Sequence, residues 1–239
     1  MLNHGKGLLL VLLVGCGGGG DAPASPVSEQ PESPQNPIPE QQPNPPLVEG
    51  DVLFSFSPIH PDELRRIVPL GNVNPPAHTL PTDHIYFYMW YYDDGPVPDA
   101  GRKHQVYAPA GGKVDSIIQP EGGDSQVMIQ CTSTFYYYVD HFLPVPELKA
   151  GMTVRAGDIL GTSSGPYGID LGVIDTKATL AGLIDPDRYH WKTKHAMSPL
   201  LYYDEPLLST LKGKVLRKGE DKHGKIDYDQ PGRLIGNWF

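Results

Sequence analysis

The sequence predicts a mainly β protein, an antiparallel sheet or sandwich with minor helices, and three observations predict it. The 239 residues include 26 Pro and 27 Gly, too many helix breakers for a bundle. Period-two alternation dominates the middle of the chain. It is clearest in residues 84–92, where His84, Tyr86, Tyr88 and Trp90 share one face and Ile85, Phe87 and Met89 the other. Clusters such as Asp93-Asp94-Gly95-Pro96 and Glu121-Gly122-Gly123-Asp124 supply turns between such runs.

Taken in order, the chain opens on a processing signal over residues 1–15. Lys6 precedes the apolar run Leu8 to Val14, and a small residue, Gly15, follows it. The run is far shorter than the roughly 20 residues that cross a bilayer. Leu13-Val14-Gly15-Cys16 resembles the lipobox of bacterial lipoproteins, which implies acylation of the Cys16 thiol and cleavage just before it. The plain alternative is an ordinary secretory signal with an incidental Cys. Loss of Lys6 leaves 18 Lys+Arg against 28 Asp+Glu, or 18 − 28 = −10, so attachment to anionic lipid depends on the acyl chains. The acidic balance also argues against nucleic acid as a partner, because phosphate binding needs a clustered basic face.

Residues 16–50 read as an acylated Cys followed by a disordered tether. Nine Pro fall between Pro23 and Pro46, with no aromatic residue to seed a core. Extended as polyproline II, this stretch reaches roughly 100 Å. Cell-envelope localisation follows, and Gly17 and Gly18, in place of the Asp that retains such lipoproteins in an inner membrane, point to the outer one in a cell with two.

Residues 51–239 have the length of one domain. Further strands are expected at 104–108, 113–118, 126–131, 134–142, 153–154, 159–160 and 169–175, and helices at 61–66 and 198–211, the latter broken by Pro206. Cys131, without a disulfide partner once Cys16 is acylated, is expected to be a buried small apolar residue. The tail from Gly224, ending Trp238-Phe239, is expected to dock back on the domain.

A family resemblance emerges from three segments. Residues 108–114, Ala-Pro-Ala-Gly-Gly-Lys-Val, look like the "A-P-A-D-G-x-V" turn and strand of the lysostaphin-type zinc metallopeptidases, which share the duplicated hybrid motif fold. Residues 126–129 and 137–142 are similar to the "V-x-I" strand and "Y-x-x-H-L" segment of that family, and 148–161 to its "V-x-x-G-x-x-V-x-A-G-x-x-I-G" element. The resemblance covers about 72–175 and implies a wall-directed peptidase fold.

The departures concern the metal. Family enzymes hold zinc with a His, an Asp four residues later, and the second His of a terminal "H-x-H" strand. Here Asp170 stands at the first of those strand positions and Gly172 at the ligand position, and the upstream segment reads from His78 to His84 without "H-x-G-x-D". Zinc accepts imidazole nitrogen and carboxylate oxygen, and a catalytic site needs three protein ligands. The resemblance thus implies His78, His84 and Asp170 as the modified set, with His141, read on the face with Val139, Tyr137 and Phe135, as the assisting group. Each has a plainer reading. His78 packs on Pro75 and Pro76, His84 pairs with Asp83 on the surface, and Asp170 caps a turn. His60, His104, His190, His195 and His223 have no motif partner.

Two functions from different classes follow. One is a zinc hydrolase of peptidoglycan or envelope peptide. The other is a non-catalytic module that binds the wall or regulates an envelope hydrolase.

Overall fold

The computed structural model describes residues 49–76, 78–91, 94–96, 99, 101–120 and 123–237. The signal, Cys16, the tether up to residue 48, Trp238 and Phe239 lie outside them. Ten strands dominate: β1 (Arg66–Val68), β2 (His84–Tyr88), β3 (Gln105–Tyr107), β4 (Gly112–Ile118), β5 (Ser125–Gln130), β6 (Phe135–Pro144), β7 (Thr153–Val154), β8 (Ile159–Ser163), β9 (Gly168–Asp175) and β10 (Ala196–Met197). They form one antiparallel system in the order β1-β2-β9-β6-β5-β4-β7. In addition β10 joins β9, and β8 bridges β3 to β6. Two short α-helices, α1 (Trp191–Lys194) and α2 (Leu207–Lys214), and two 3₁₀ turns, Pro186–Arg188 and Pro199–Tyr202, complete the described elements.

Alternation places the core on one face of the three central strands. Ile85 and Phe87 on β2, Ile169, Leu171 and Val173 on β9, and Tyr137 and Val139 on β6 are fully buried. Each such side chain withdrawn from water contributes about 1.5–3 kcal/mol before entropy is counted. Phe54 closes this layer, meeting Phe135, Tyr137, Tyr202 and Tyr203 at ring separations of 5.2–6.2 Å. Cys131 is buried as expected and its thiol is free, with burial raising its pKa to about 12.

Three expected elements differ. The segment 61–66 is not a helix. The amides of Glu63 and Leu64 turn back to His60 O, and the chain then enters β1, where Ile67 pairs with Phe87. Burying Ile67 on the edge of β2 outweighs the weak local helix signal. The 198–211 helix is a 3₁₀ turn, Pro199–Tyr202, followed by α2 only after Pro206, whose ring cannot sit in a helix interior. Strand β2 stops at Tyr88 rather than at residue 92, because the amides of Met89 and Trp90 both turn to Tyr167 O.

The pairing of β5 with β6 contains the irregularity that matters for the site. Ser125 faces Phe142 while Val127 faces Val139, so three steps on β6 oppose two on β5. This is a β-bulge. Its extra residue is His141, which adopts φ 65°, a left-handed conformation costly for a side chain other than glycine.

The tail docks as far as it is described. Asp227 Oδ2 accepts from Gly182 N at 2.8 Å and Asp229 Oδ2 from Ile184 N at 3.0 Å, while Asn237 N donates to Asp229 Oδ1 at 2.7 Å.

Candidate functional site

The polar face of β2, β9 and β6 carries the site. Register sets His84, Gly172 and Tyr138 in one row and Tyr86, Asp170 and Asp140 in the next. The bulge adds His141. Strict alternation would send it to the core side with Val139 and Tyr137. The inserted residue instead turns it onto the face of Asp140, where its side chain is 52% exposed and its Nε2 lies 3.3 Å from Asp170 Oδ2. The expected placement of His141 beside Val139, Tyr137 and Phe135 is therefore corrected. The bulge is held by Asp140, whose Oδ1 accepts from His141 N at 2.8 Å and whose Oδ2 accepts from Gln126 Nε2 at 2.6 Å.

His84, Asp170 and His141 meet in a chain of alternating carboxylates and imidazoles. Asp83 Oδ1 is 3.1 Å from His84 Nδ1, and His84 Nε2 is 3.3 Å from Asp170 Oδ2. The same Asp170 oxygen faces His141 Nε2, and His141 Nδ1 lies 3.1 Å from Asp124 Oδ2. The contact between His84 Nε2 and Asp170 is close enough for charge attraction but not aligned as a hydrogen bond, so this buried nitrogen lacks a hydrogen-bond partner.

The electrostatics follow from this order. The bond to Asp170 is the chief cause that raises the His141 pKa to about 9, reinforced by Asp140 and Asp124 against a smaller effect of burial. With a carboxylate at each ring nitrogen, His141 is an imidazolium at neutral pH and donates from both. Both N–H groups are thereby committed to Asp170 and Asp124, so a ligand oxygen reaches one only by displacing a carboxylate. Burial pushes the Asp83 carboxyl upward, yet bonds from His84, Thr193 and Tyr138 outweigh it and hold the pKa at about 2. For His84, burial works against the charged form, but Asp83, Asp170 and Asp140 together raise its pKa.

His78 stands beside this chain. It pairs with Asn74 in a narrow hairpin, and its ring centroid lies 5.6 Å from that of His84 and 6.1 Å from that of Tyr86.

Residues that sequence reasoning did not single out complete the site. Thr193 Oγ1 donates to Asp83 Oδ2 at 2.6 Å, and Tyr138 OH to Asp83 Oδ1 at 3.1 Å. Lys192 donates to Gln126 Oε1 and sits 4.9 Å from the centroid of the Tyr138 ring. Both Thr193 and Lys192 come from α1, beyond the resembling segment, and bond residues 110 and 66 positions away. No local pattern reports such pairs.

The row containing Gly172 decides how zinc would fit. A β-carbon there would fall 2.2 Å from Tyr138 Cε1 and Cζ and 2.5 Å from its hydroxyl. The Tyr138 ring fills the space that a ligand side chain from position 172 would use. Among the described residues, no group of three or more His, Cys, Asp or Glu is arranged to hold a metal ion. The donor set does not fit the zinc site that the resemblance implies.

No family model matches the chain, and no curated protein sequence matches it. Solved structures are similar at a distance. A zinc-containing peptidase from Vibrio cholerae is 15% identical over 54% of this chain, with a TM-score of 0.40. The catalytic domain of the antimicrobial peptidase lysostaphin from Staphylococcus simulans is 15% identical over 59% of this chain and 89% of its own, with a TM-score of 0.38. A chain of the SpoIIQ–SpoIIIAH pore-forming complex is 12% identical over 66% of this chain and 94% of its own, with a TM-score of 0.38. This chain spans only 38% of the Vibrio cholerae protein. At these identities the likeness concerns the β fold alone.

Proposed function

We propose that this chain is a lipid-anchored envelope protein, tethered through Cys16, whose domain binds peptidoglycan or its peptides without zinc-dependent turnover. The observation that carries the second half of this reading is the Tyr138 ring in the space over Gly172, which closes the ligand position and bonds Asp83 in the same stroke. What remains is an exposed imidazolium, His141, flanked by carboxylates on an open sheet face. Such a face suits a polymer bearing both amide and charged groups. The lipobox and the reach of the tether support the envelope location, on the outer membrane where two are present.

The test has two arms on the purified full chain. It is expected to sediment with insoluble peptidoglycan, to lose that property on His141→Ala, and to hold substoichiometric zinc after zinc loading and desalting. Failure to sediment overturns the binding reading. One tightly held zinc per chain, lost on His84→Gln, overturns the statement about metal.

A zinc hydrolase is the second reading, favoured by one observation. The buried His84 Nε2 lacks a hydrogen-bond partner although Asp170 lies beside it, as a nitrogen awaiting a different partner would. Release of soluble fragments from peptidoglycan, dependent on His84 and Asp170, is the result that supports it.

A further inference from the structure

One ammonium group reaches both the Tyr138 ring and, through a single amide, the His141 bulge. Lys192 stands on α1, outside the resembling segment, and its neighbour Thr193 fastens that helix to Asp83 Oδ2 at 2.6 Å. Lys192 Nζ donates to Gln126 Oε1 and lies 4.9 Å from the centroid of the Tyr138 ring. Gln126 is the β5 residue that faces the bulge, between Ser125, which pairs with Phe142, and Val127, which pairs with Val139. Its Nε2 donates to Asp140 Oδ2 at 2.6 Å, and Asp140 Oδ1 accepts from His141 N at 2.8 Å. We propose that Lys192 is the built-in cation of this site: it positions His141 through Gln126 and Asp140 and steadies Tyr138 over Gly172, so that the wall-binding face keeps its shape without a metal ion.

Charge fixes the direction of the relay. A carboxamide has one accepting end and one donating end. The ammonium takes the oxygen of Gln126, which gives its nitrogen to Asp140. Asp140 by itself also draws the nitrogen, but without Lys192 the oxygen of a half-buried side chain loses its partner, and turning the amide out to water releases Asp140. Asp140 in turn holds a left-handed residue, a backbone form that persists only where its surroundings over-determine it. The second arm is a cation beside an aromatic ring, the ring that fills the space over Gly172. Burial of Lys192 works against its charge, and the pull of Asp83 and Asp140 works for it. The resemblance implies a zinc ion as the cation of this face. The donor set does not fit one, and α1 brings positive charge from within the chain. Residues 192 and 193 thereby clip α1 to Asp83 directly and to Asp140 through Gln126.

The inference rests on the wall-binding reading and names what holds its face in shape. It is tested by NMR and by sedimentation on the isotope-labelled full chain. Lys192→Met keeps most of the stem and removes the charge, and Lys192→Arg restores a cation able to bond Gln126 and cover Tyr138. In Lys192→Met the Gln126 side-chain amide and His141 backbone amide resonances are expected to move, and affinity for insoluble peptidoglycan to fall about tenfold, the loss of one bond to a charged group. Lys192→Arg is expected to recover most of both changes. Lys194→Met, which removes a charge from the same helix by breaking its 3.1 Å pair with Asp187, is expected to move neither resonance. In a Gln126→Leu background Lys192→Met should bring no further loss of affinity, because the relay is already cut. Unmoved resonances in Lys192→Met, failure of Lys192→Arg to recover them, an equal effect of Lys194→Met, or a full further loss in the Gln126→Leu background overturns the proposal. So does sedimentation of the unaltered chain that EDTA abolishes and zinc restores, since the face would then depend on a metal. The two readings fail separately. An unaltered chain that does not sediment removes the wall reading, while the resonances still decide the role of Lys192.

Discussion

Substituting Gly172 by alanine tests the feature on which the functional reading turns. The new methyl would lie 2.2 Å from two ring carbons of Tyr138, where carbon atoms prefer about 3.5–4.0 Å. One of the two must move by more than about 1 Å. The ring cannot retreat freely, since it is 4% exposed, packs with Met128 and Ile174, and is tied to Asp83 through its hydroxyl. Overpacking of this kind costs about 1–3 kcal/mol, and the upper half applies to a pinned ring. Restricting the unfolded chain returns about 0.4–1 kcal/mol. The net expectation is a loss of about 2 kcal/mol, or roughly 4–8 °C in Tm for a domain of this size.

Tyr138→Ala alone should cost about 3–5 kcal/mol as a buried aromatic truncation. In the double variant the methyl enters vacated space, so the two effects should fall short of their sum by about 2–3 kcal/mol. Urea denaturation of the four proteins in the double-mutant cycle measures this directly. Additivity within about 0.5 kcal/mol would falsify the claim that Tyr138 occupies the space above Gly172.

Three further expectations concern titration and reactivity. The His141 imidazole should titrate near pH 9 by NMR and return toward its ordinary range in Asp170→Asn; because its folded pKa is raised, its contribution to stability is complete below its unfolded value of about 6.5 and disappears as pH climbs through 9. An unshifted His141 resonance would dismiss the contact with Asp170. Asp83, held at about 2, contributes stability that is present above its unfolded pKa of about 3.9 and lost as pH falls through 2. The acid-unfolding limb should therefore move to higher pH in Thr193→Val, which removes one of the bonds to Asp83, and an unchanged limb would count against that bond's role. The Cys131 thiol, buried and raised to about 12, should resist iodoacetamide at pH 8 in the native protein and react fully in denaturant, whereas native-state labelling would contradict its burial.

Much of the sheet was legible because its strands are amphipathic on a two-residue period. Residues 84–88, 113–118, 126–130 and 169–175 fall in β2, β4, β5 and β9 as alternation requires. That same rule misplaced His141. A period-two reading carries a face forward unchanged, and nothing in Val139-Asp140-His141-Phe142 announces a bulge, since left-handed positions are ordinarily flagged by glycine or asparagine. Segment order and the resemblance led to an expected convergence of His78, His84, His141 and Asp170; His84 and His141 both lie 3.3 Å from Asp170, whereas His78 stands beside them with its ring 5.6 Å from that of His84. The filling of position 172 was not legible. A missing histidine is visible in sequence, but its replacement by a ring from the neighbouring strand depends on register, and β6 pairs Tyr138 with Gly172 only in three dimensions. Thr193 and Lys192 were hidden for a related reason, because their partners lie on β2, β5 and the preceding loop rather than within their own helix.

The alternating order of charges bears on how genetic experiments with this protein should be read. Removing any interior link strands its neighbours: alanine at 84 leaves the buried Asp170 and half-buried Asp83 carboxylates facing a void, and alanine at 170 leaves two imidazoles with nothing between them. A null phenotype from either allele would thus report lost solvation as readily as lost chemistry. Shape-preserving exchanges to asparagine or glutamine, which keep the row filled while altering one proton or one charge, are the alleles whose phenotypes can be interpreted.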